Sequence, residues 1–188
     1  MAAQSSLKNM VLCLTLVCLV CGGLLGAVNA VTAGIIEETA HKNLVASIAK
    51  VLPEGGELSE ARASDLPGIG EYYVLSSDGA AIAYAVKSTT VGFGGTLSLM
   101  VGVLTDGTVY NTSVLSHSET PGLGAKCTEE DSAFRTQFMG FGGVLKVTKD
   151  GGDIDAITAS TITSRAFTKA VAQAVDFVRS LNGGCCNE

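Results

Sequence analysis

YYVLSSDGAAIAYAVKS, residues 72–88, reads as two strand-like runs on either side of Asp78-Gly79. Asp-Gly between apolar runs is a strong hairpin signal, because the favoured tight turn needs positive φ, which Gly adopts freely and Asp tolerates. Working outward, TLSLMVGVLT (residues 96–105) and TVYNTSVLS (residues 108–116) repeat the arrangement around Asp106-Gly107. Four such runs in succession predict an antiparallel meander. EEDSAFRTQFMG (residues 129–140) is expected to be helical and VLKVT (residues 144–148) to be a further strand. Residues 55–70, with Pro67 and scattered acids, read as a surface connection.

Beyond the meander lies DAITASTITS, residues 155–164, in which five of ten residues are Ser or Thr. Phe167, Val171, Ala174, Val178 and Leu181 follow at helical spacing, which predicts a closing helix over about residues 163–181 and an α+β domain, a meander sheet with flanking helices. The hydroxyls then sit at a helix start, where unpaired N–H groups and the helix dipole favour an anion such as phosphate. A plain helix cap at Thr158 or Ser160 fits the same residues.

The chain has 188 residues, 47% of them apolar, enough for one core. Leaving Lys8 aside, 11 basic residues stand against 18 acidic ones, a net charge of −7, which argues against nucleic acid as a partner. From Asn9 to Ile36 there is no charged residue, and the apolar run exceeds the roughly 20 residues needed to cross a bilayer. Residues 1–8 are read as a short cytoplasmic N-terminus, 9–34 as a transmembrane anchor and 35–188 as an exported domain. Lys8 on one side and Glu37 and Glu38 on the other set that orientation. Val28-Asn29-Ala30 also suits signal-peptide cleavage after Ala30, but the run is long for one. EETAHKNLVASIAKVLP places Leu44, Ile48 and Val51, with Ala40, on one face of a helix that Pro53 ends.

Cys13, Cys18 and Cys21 fall within the apolar run, and Cys127, Cys185 and Cys186 are too few outside it for a disulfide scaffold. None has metal-site spacing, and no residues are arranged as an independent catalytic centre. Two further stretches are unusual. GFGG, residues 92–95, permits close backbone approach, and HSETPGLGAK, residues 117–126, forms a stiff, tight loop after a strand. His117 in that loop reads as a proton donor or as a purely local hydrogen-bonding group.

Taken together, GFGG, ETPGLG and the D-x-x-T-A-S-T run resemble the FMN-binding domain family, in which FMN is joined to a threonine through its phosphate. Within it the chain is most similar to the G subunits of Rnf electron-transport complexes, relatives of the C subunits of sodium-translocating NADH:quinone reductases. The attachment motif is Asp, two variable residues, Ser or Thr, Gly, Ala, then Thr or Ser. Asp155, Thr158 and Thr161 match it, whereas Ala159 replaces Gly and Ser160 replaces Ala.

The resemblance implies covalent FMN on Thr161, with attachment at Ser160 as the lesser alternative, and Asp155 within the sequence that a separate metal-dependent flavin transferase recognises. With no His, Lys or Cys inside the motif to activate the hydroxyl, self-attachment is disfavoured. Arg165 and Lys126 are the cations available to balance the phosphodiester, and Thr120, Gly122 and Leu123 are the expected flavin contacts. The implied function is electron transfer within a membrane oxidoreductase complex that couples ferredoxin and NAD to ion transport, single-pass in the inner membrane with the FMN domain on the periplasmic side. The alternatives are a stand-alone membrane-tethered flavin domain serving another reductase and a flavin-free scaffold of the same fold.

Overall fold

Both central residues of the first predicted turn have positive φ, Asp78 at 53° and Gly79 at 80°, the geometry that suits a tight hairpin. In the computed structural model, which describes residues 7–183, this turn joins β3 (Ile69–Ser77) to β4 (Ala80–Val91). β5 (Thr96–Leu104) and β6 (Val109–Ser116) complete the meander, every neighbouring pair antiparallel. At Asp106-Gly107 the Asp106 carboxylate accepts the Thr108 N–H at 2.8 Å, an Asx-type turn. Residues 55–70 are more than a connection: β1 (Glu57–Leu58) and β2 (Arg62–Ala63) both pair with β3, the first strand of the meander. Two-residue strands of exposed side chains have too little pattern to be read in sequence.

The sheet is buried on both faces, which is why β5 is apolar almost throughout. On one face Val86, Leu97, Leu99, Val101 and Val103 meet α3 (Thr161–Gly183), whose Phe167, Val171, Ala174 and Val178 are buried as their spacing predicts, while Leu181 is partly buried. Phe134, Phe138 and Phe167 form an aromatic cluster with centroids 5.1–5.3 Å apart. On the other face Ala83, Ala85 and Met100 pack with Ile48, Val51 and Leu52.

Two expectations need correction. VLKVT is not a strand. Gly-Gly pairs lie on both sides of it, and the segment closes on itself, with Thr148 donating to the Ile154 carbonyl at 2.8 Å and Ile154 donating to that of Lys146 at 3.1 Å. β6 instead bridges Phe141 through Val109. EEDSAFRTQFMG is helical for a single turn, α2 (Ala133–Thr136), with Ser132 Oγ accepting the Arg135 N–H at 3.3 Å.

The chain divides into residues 1–42 and 43–188. In the first unit, α1 (Leu7–Val51) has an apolar stretch long enough to be a candidate membrane span. Its last residues, from Asn43, belong to the second unit. Residues 1–6 of the proposed cytoplasmic N-terminus, and Cys185 and Cys186, lie outside the described residues.

Candidate flavin site

Thr161 is the first residue of α3, and the chain reaches it through a corner at Ala159, whose φ is 63°. Left-handed backbone at a residue with a Cβ is costly and typical of Gly, so Ala159 holds the shape that the Gly of the attachment motif would hold without strain. Ser164, one turn into the helix, pins this corner. Its hydroxyl accepts the Ile157 N–H at 2.9 Å and donates to the Ser160 carbonyl at 3.0 Å. Ser160 is consequently buried, at 7% exposed, while Thr161 is half-buried.

A cavity of about 360 Å³ opens beside this corner. It brings together Thr161, Ser160 and Ala159 from the hydroxyl run, Thr120 and Leu123 from the ETPGLG loop, and Phe93 from GFGG. Phe93 (68% exposed) and Leu123 (44% exposed) offer apolar surface at its edge.

Glu119, which sequence reasoning passed over, ties the three segments together. It is 5% exposed, and its carboxylate accepts the Phe93 N–H at 2.9 Å and the Thr163 hydroxyl at 2.7 Å. The glycines serve this clasp. A Cβ at Gly92 would lie 2.0 Å from Glu119 Oε1, one at Gly94 2.0 Å from the Ser118 carbonyl oxygen, and one at Gly124 2.6 Å from Glu119 Oε2. The close approach foreseen for GFGG is therefore to the neighbouring loop. His117 Nδ1 accepts the Glu119 N–H at 3.2 Å, a local bond.

The cations are arranged differently from expectation. Lys149, also missed in sequence, places its ammonium 3.3 Å from Thr161 Oγ1. Arg165 turns instead to Asp150, with two bonds of 2.6 Å that hold the Asp150 carboxyl below its ordinary range. Lys126, Asp155 and Thr158 line a second, more open cavity together with Gln137, whose side chain bonds the Asp155 backbone at both N–H and carbonyl. Gly122, at φ 76°, shapes the turn of the ETPGLG loop. Lys149 could have been noticed only as a base in a Gly-bounded loop before the motif, a weak signal.

This arrangement offers a hydroxyl at a helix start beside an ammonium, and an apolar edge a short way off. Residues 92–176 match the FMN-binding domain family, and the residues present fit FMN: Lys149 and the first turn of α3 suit its phosphate, Phe93 and Leu123 its ring. The chain is 35% identical to the G subunit of the ion-translocating oxidoreductase complex of Shewanella baltica, over 86% of this chain and 84% of that one.

It belongs to the family of these G subunits.

The chain is also 32% identical to the G subunit of the proton-translocating ferredoxin:NAD(+) oxidoreductase complex of Clostridium ljungdahlii, over 96% of both chains. Among solved structures, the C subunit of the Na(+)-translocating NADH-quinone reductase of Parabacteroides distasonis superposes with a TM-score of 0.44 at 23% identity, covering 60% of this chain and 62% of that one.

Proposed function

We propose that this chain is an electron-transfer subunit of a membrane complex that couples ferredoxin and NAD to ion transport, and that it carries one FMN joined through its phosphate to Thr161. The observation that carries the reading is the position of Thr161: its hydroxyl opens α3, lines the cavity that Phe93 and Leu123 border, and lies 3.3 Å from the Lys149 ammonium. Ser160, the alternative acceptor, is buried at the corner, which favours Thr161. Bound FMN would supply reversible electron uptake and release, chemistry that no side chain of this cavity offers.

The residues of the chain do the holding. Lys149 and the first-turn N–H groups of α3 would balance the phosphodiester, and Glu119 keeps the Phe93 and Leu123 loops in place. Thr120, Leu123 and Phe93 are the proposed ring contacts, with Gly122 shaping their loop. Among the described residues no carboxylate or imidazole is bonded to the Thr161 hydroxyl, and an ammonium cannot take its proton, so attachment falls to a separate flavin transferase. We assign residues 9–34 to a retained anchor and the flavin domain to the extracytosolic face.

Thr161→Val and Thr161→Ser test the assignment. Valine keeps size and β-branching, so stability should fall by no more than roughly 1 kcal/mol, the usual worth of a cap. In-gel flavin fluorescence, read beside an immunoblot of the assembled complex, should vanish in Thr161→Val and persist in part in Thr161→Ser. Fluorescence surviving in Thr161→Val, or lost only together with the protein itself, would overturn the role given to Thr161.

A further inference from the structure

Arg135 is buried, at 6% exposed, and among the described residues no carboxylate forms an ion pair with it. Its guanidinium donates from Nη1 to the Thr128 carbonyl at 3.0 Å and from Nη2 to the Thr112 carbonyl. Nε, equally buried, has no acceptor. Two carbonyl bonds fix where the guanidinium points but leave its charge uncompensated, which is costly away from water. Burial accordingly draws the Arg135 pKa below its ordinary value, and Glu130 only partly restores it.

Arg135 lines a cavity of about 280 Å³ on the side of the sheet that carries Ile48 and Val51, away from Thr161. Ser47 and Lys50 reach it from the end of α1, Ser113 from β6, and Glu130 from the loop before α2. The Ser47 and Ser113 hydroxyls are 3.1 Å apart and bonded to each other, so one of their protons stays free to donate. Glu130 is the single acid of the lining, and Lys50 neutralises it at 2.5 Å. What remains is one positive charge, a buried N–H without a partner, and hydroxyl donors around one small space.

We propose that this cavity is a binding site for a small oxyanion of the phosphate class, held by Arg135 and Lys50 with the hydroxyls of Ser47 and Ser113. Water alone can accept the Nε proton but brings no counter-charge, whereas an oxyanion supplies both. Lys50 and Glu130 are about half exposed at the rim and give the ion a way in.

The test is equilibrium dialysis of radiolabelled inorganic phosphate against the full-length chain in a neutral detergent, with ionic strength held constant by chloride. The wild type should bind one phosphate per chain saturably. Arg135→Gln should abolish that binding and Lys50→Gln weaken it at least tenfold, while Lys169→Gln, an exposed position on α3 that lines neither this cavity nor the one beside Thr161, should bind as the wild type does. Should Arg135→Gln fail to fold by circular dichroism, Lys50→Gln and Ser113→Ala decide, each being expected to weaken binding. No saturable phosphate in the wild type, unchanged affinity in Lys50→Gln, or loss in Lys169→Gln would each overturn the site.

Discussion

Ala159 holds φ at 63° at the corner before Thr161, a conformation that costs an L residue with a Cβ roughly 1–2 kcal/mol. Ala159→Gly removes that strain but frees the unfolded chain, so a net gain of about 0.5–1 kcal/mol is expected in urea unfolding, with flavin attachment retained. Ala159→Val, β-branched, should destabilise the corner by more than Gly relieves it. Cys127 is a second residue with a measurable signature. Burial, and after it the Glu119 charge, raise its thiol from the ordinary 9.0 to about 11. The unfolded thiol ionises first, so the stability tied to keeping Cys127 neutral is complete below pH 9 and is lost as the pH rises from 9 to 11. Over that window the wild type should lose up to roughly 3 kcal/mol more than Cys127→Ala, with Tyr73 and other alkaline groups cancelling in the comparison. Equal slopes of unfolding free energy against pH for the two proteins would contradict this.

At the scale of elements, the end of α1 meets the sheet through backbone. A Cβ at Gly102 of β5 would stand 1.7 Å from the Val51 carbonyl oxygen, so the helix end can lie against the strand only because that side chain is absent. Gly102→Ala should therefore lift residues 43–51 from the sheet at a cost of about 3 kcal/mol, seen as a lower urea midpoint. Gly142→Ala is the control: its methyl would meet nothing nearer than Thr108 Oγ1 at 3.9 Å, and stability should stay within about 0.5 kcal/mol. The same logic joins GFGG to the ETPGLG loop, where missing side chains let Glu119 accept N–H groups from the facing turn. A motif rich in glycine thus shapes the cavity beside Thr161 by allowing two loops to touch.

For the whole molecule, the proposed retained anchor rests on the charge-free run of α1, a candidate membrane span. Carbonate-washed membranes should retain the chain, and N-terminal sequencing of the extracted protein should find residues before Val31; a chain beginning at Val31 and released by a salt wash would refute the anchor. Sequence alone determined the parts that rest on local chemistry. Asp-Gly turns are specified by the φ of two adjacent residues, α3 by an apolar face repeating every turn, and the candidate span by an unbroken apolar run. The resemblance to the FMN-binding family likewise rests on three short motifs, each of residues adjacent in the chain, but pairings across the fold could not be read this way. VLKVT has strand composition and yet folds onto Ile154, because the open edge of β6 bridges Phe141 and the glycines around VLKVT allow the segment to close on itself. Arg165 lies four residues from Thr161 but is paired with Asp150, while Lys149, twelve residues away, is brought to the Thr161 hydroxyl by the 3₁₀ turn Thr148–Asp150. Glu119 reaches Thr163 across 44 residues. A side chain's range of action is a few ångströms in space whatever the separation in sequence, so only the tertiary structure decided which charge each hydroxyl would meet.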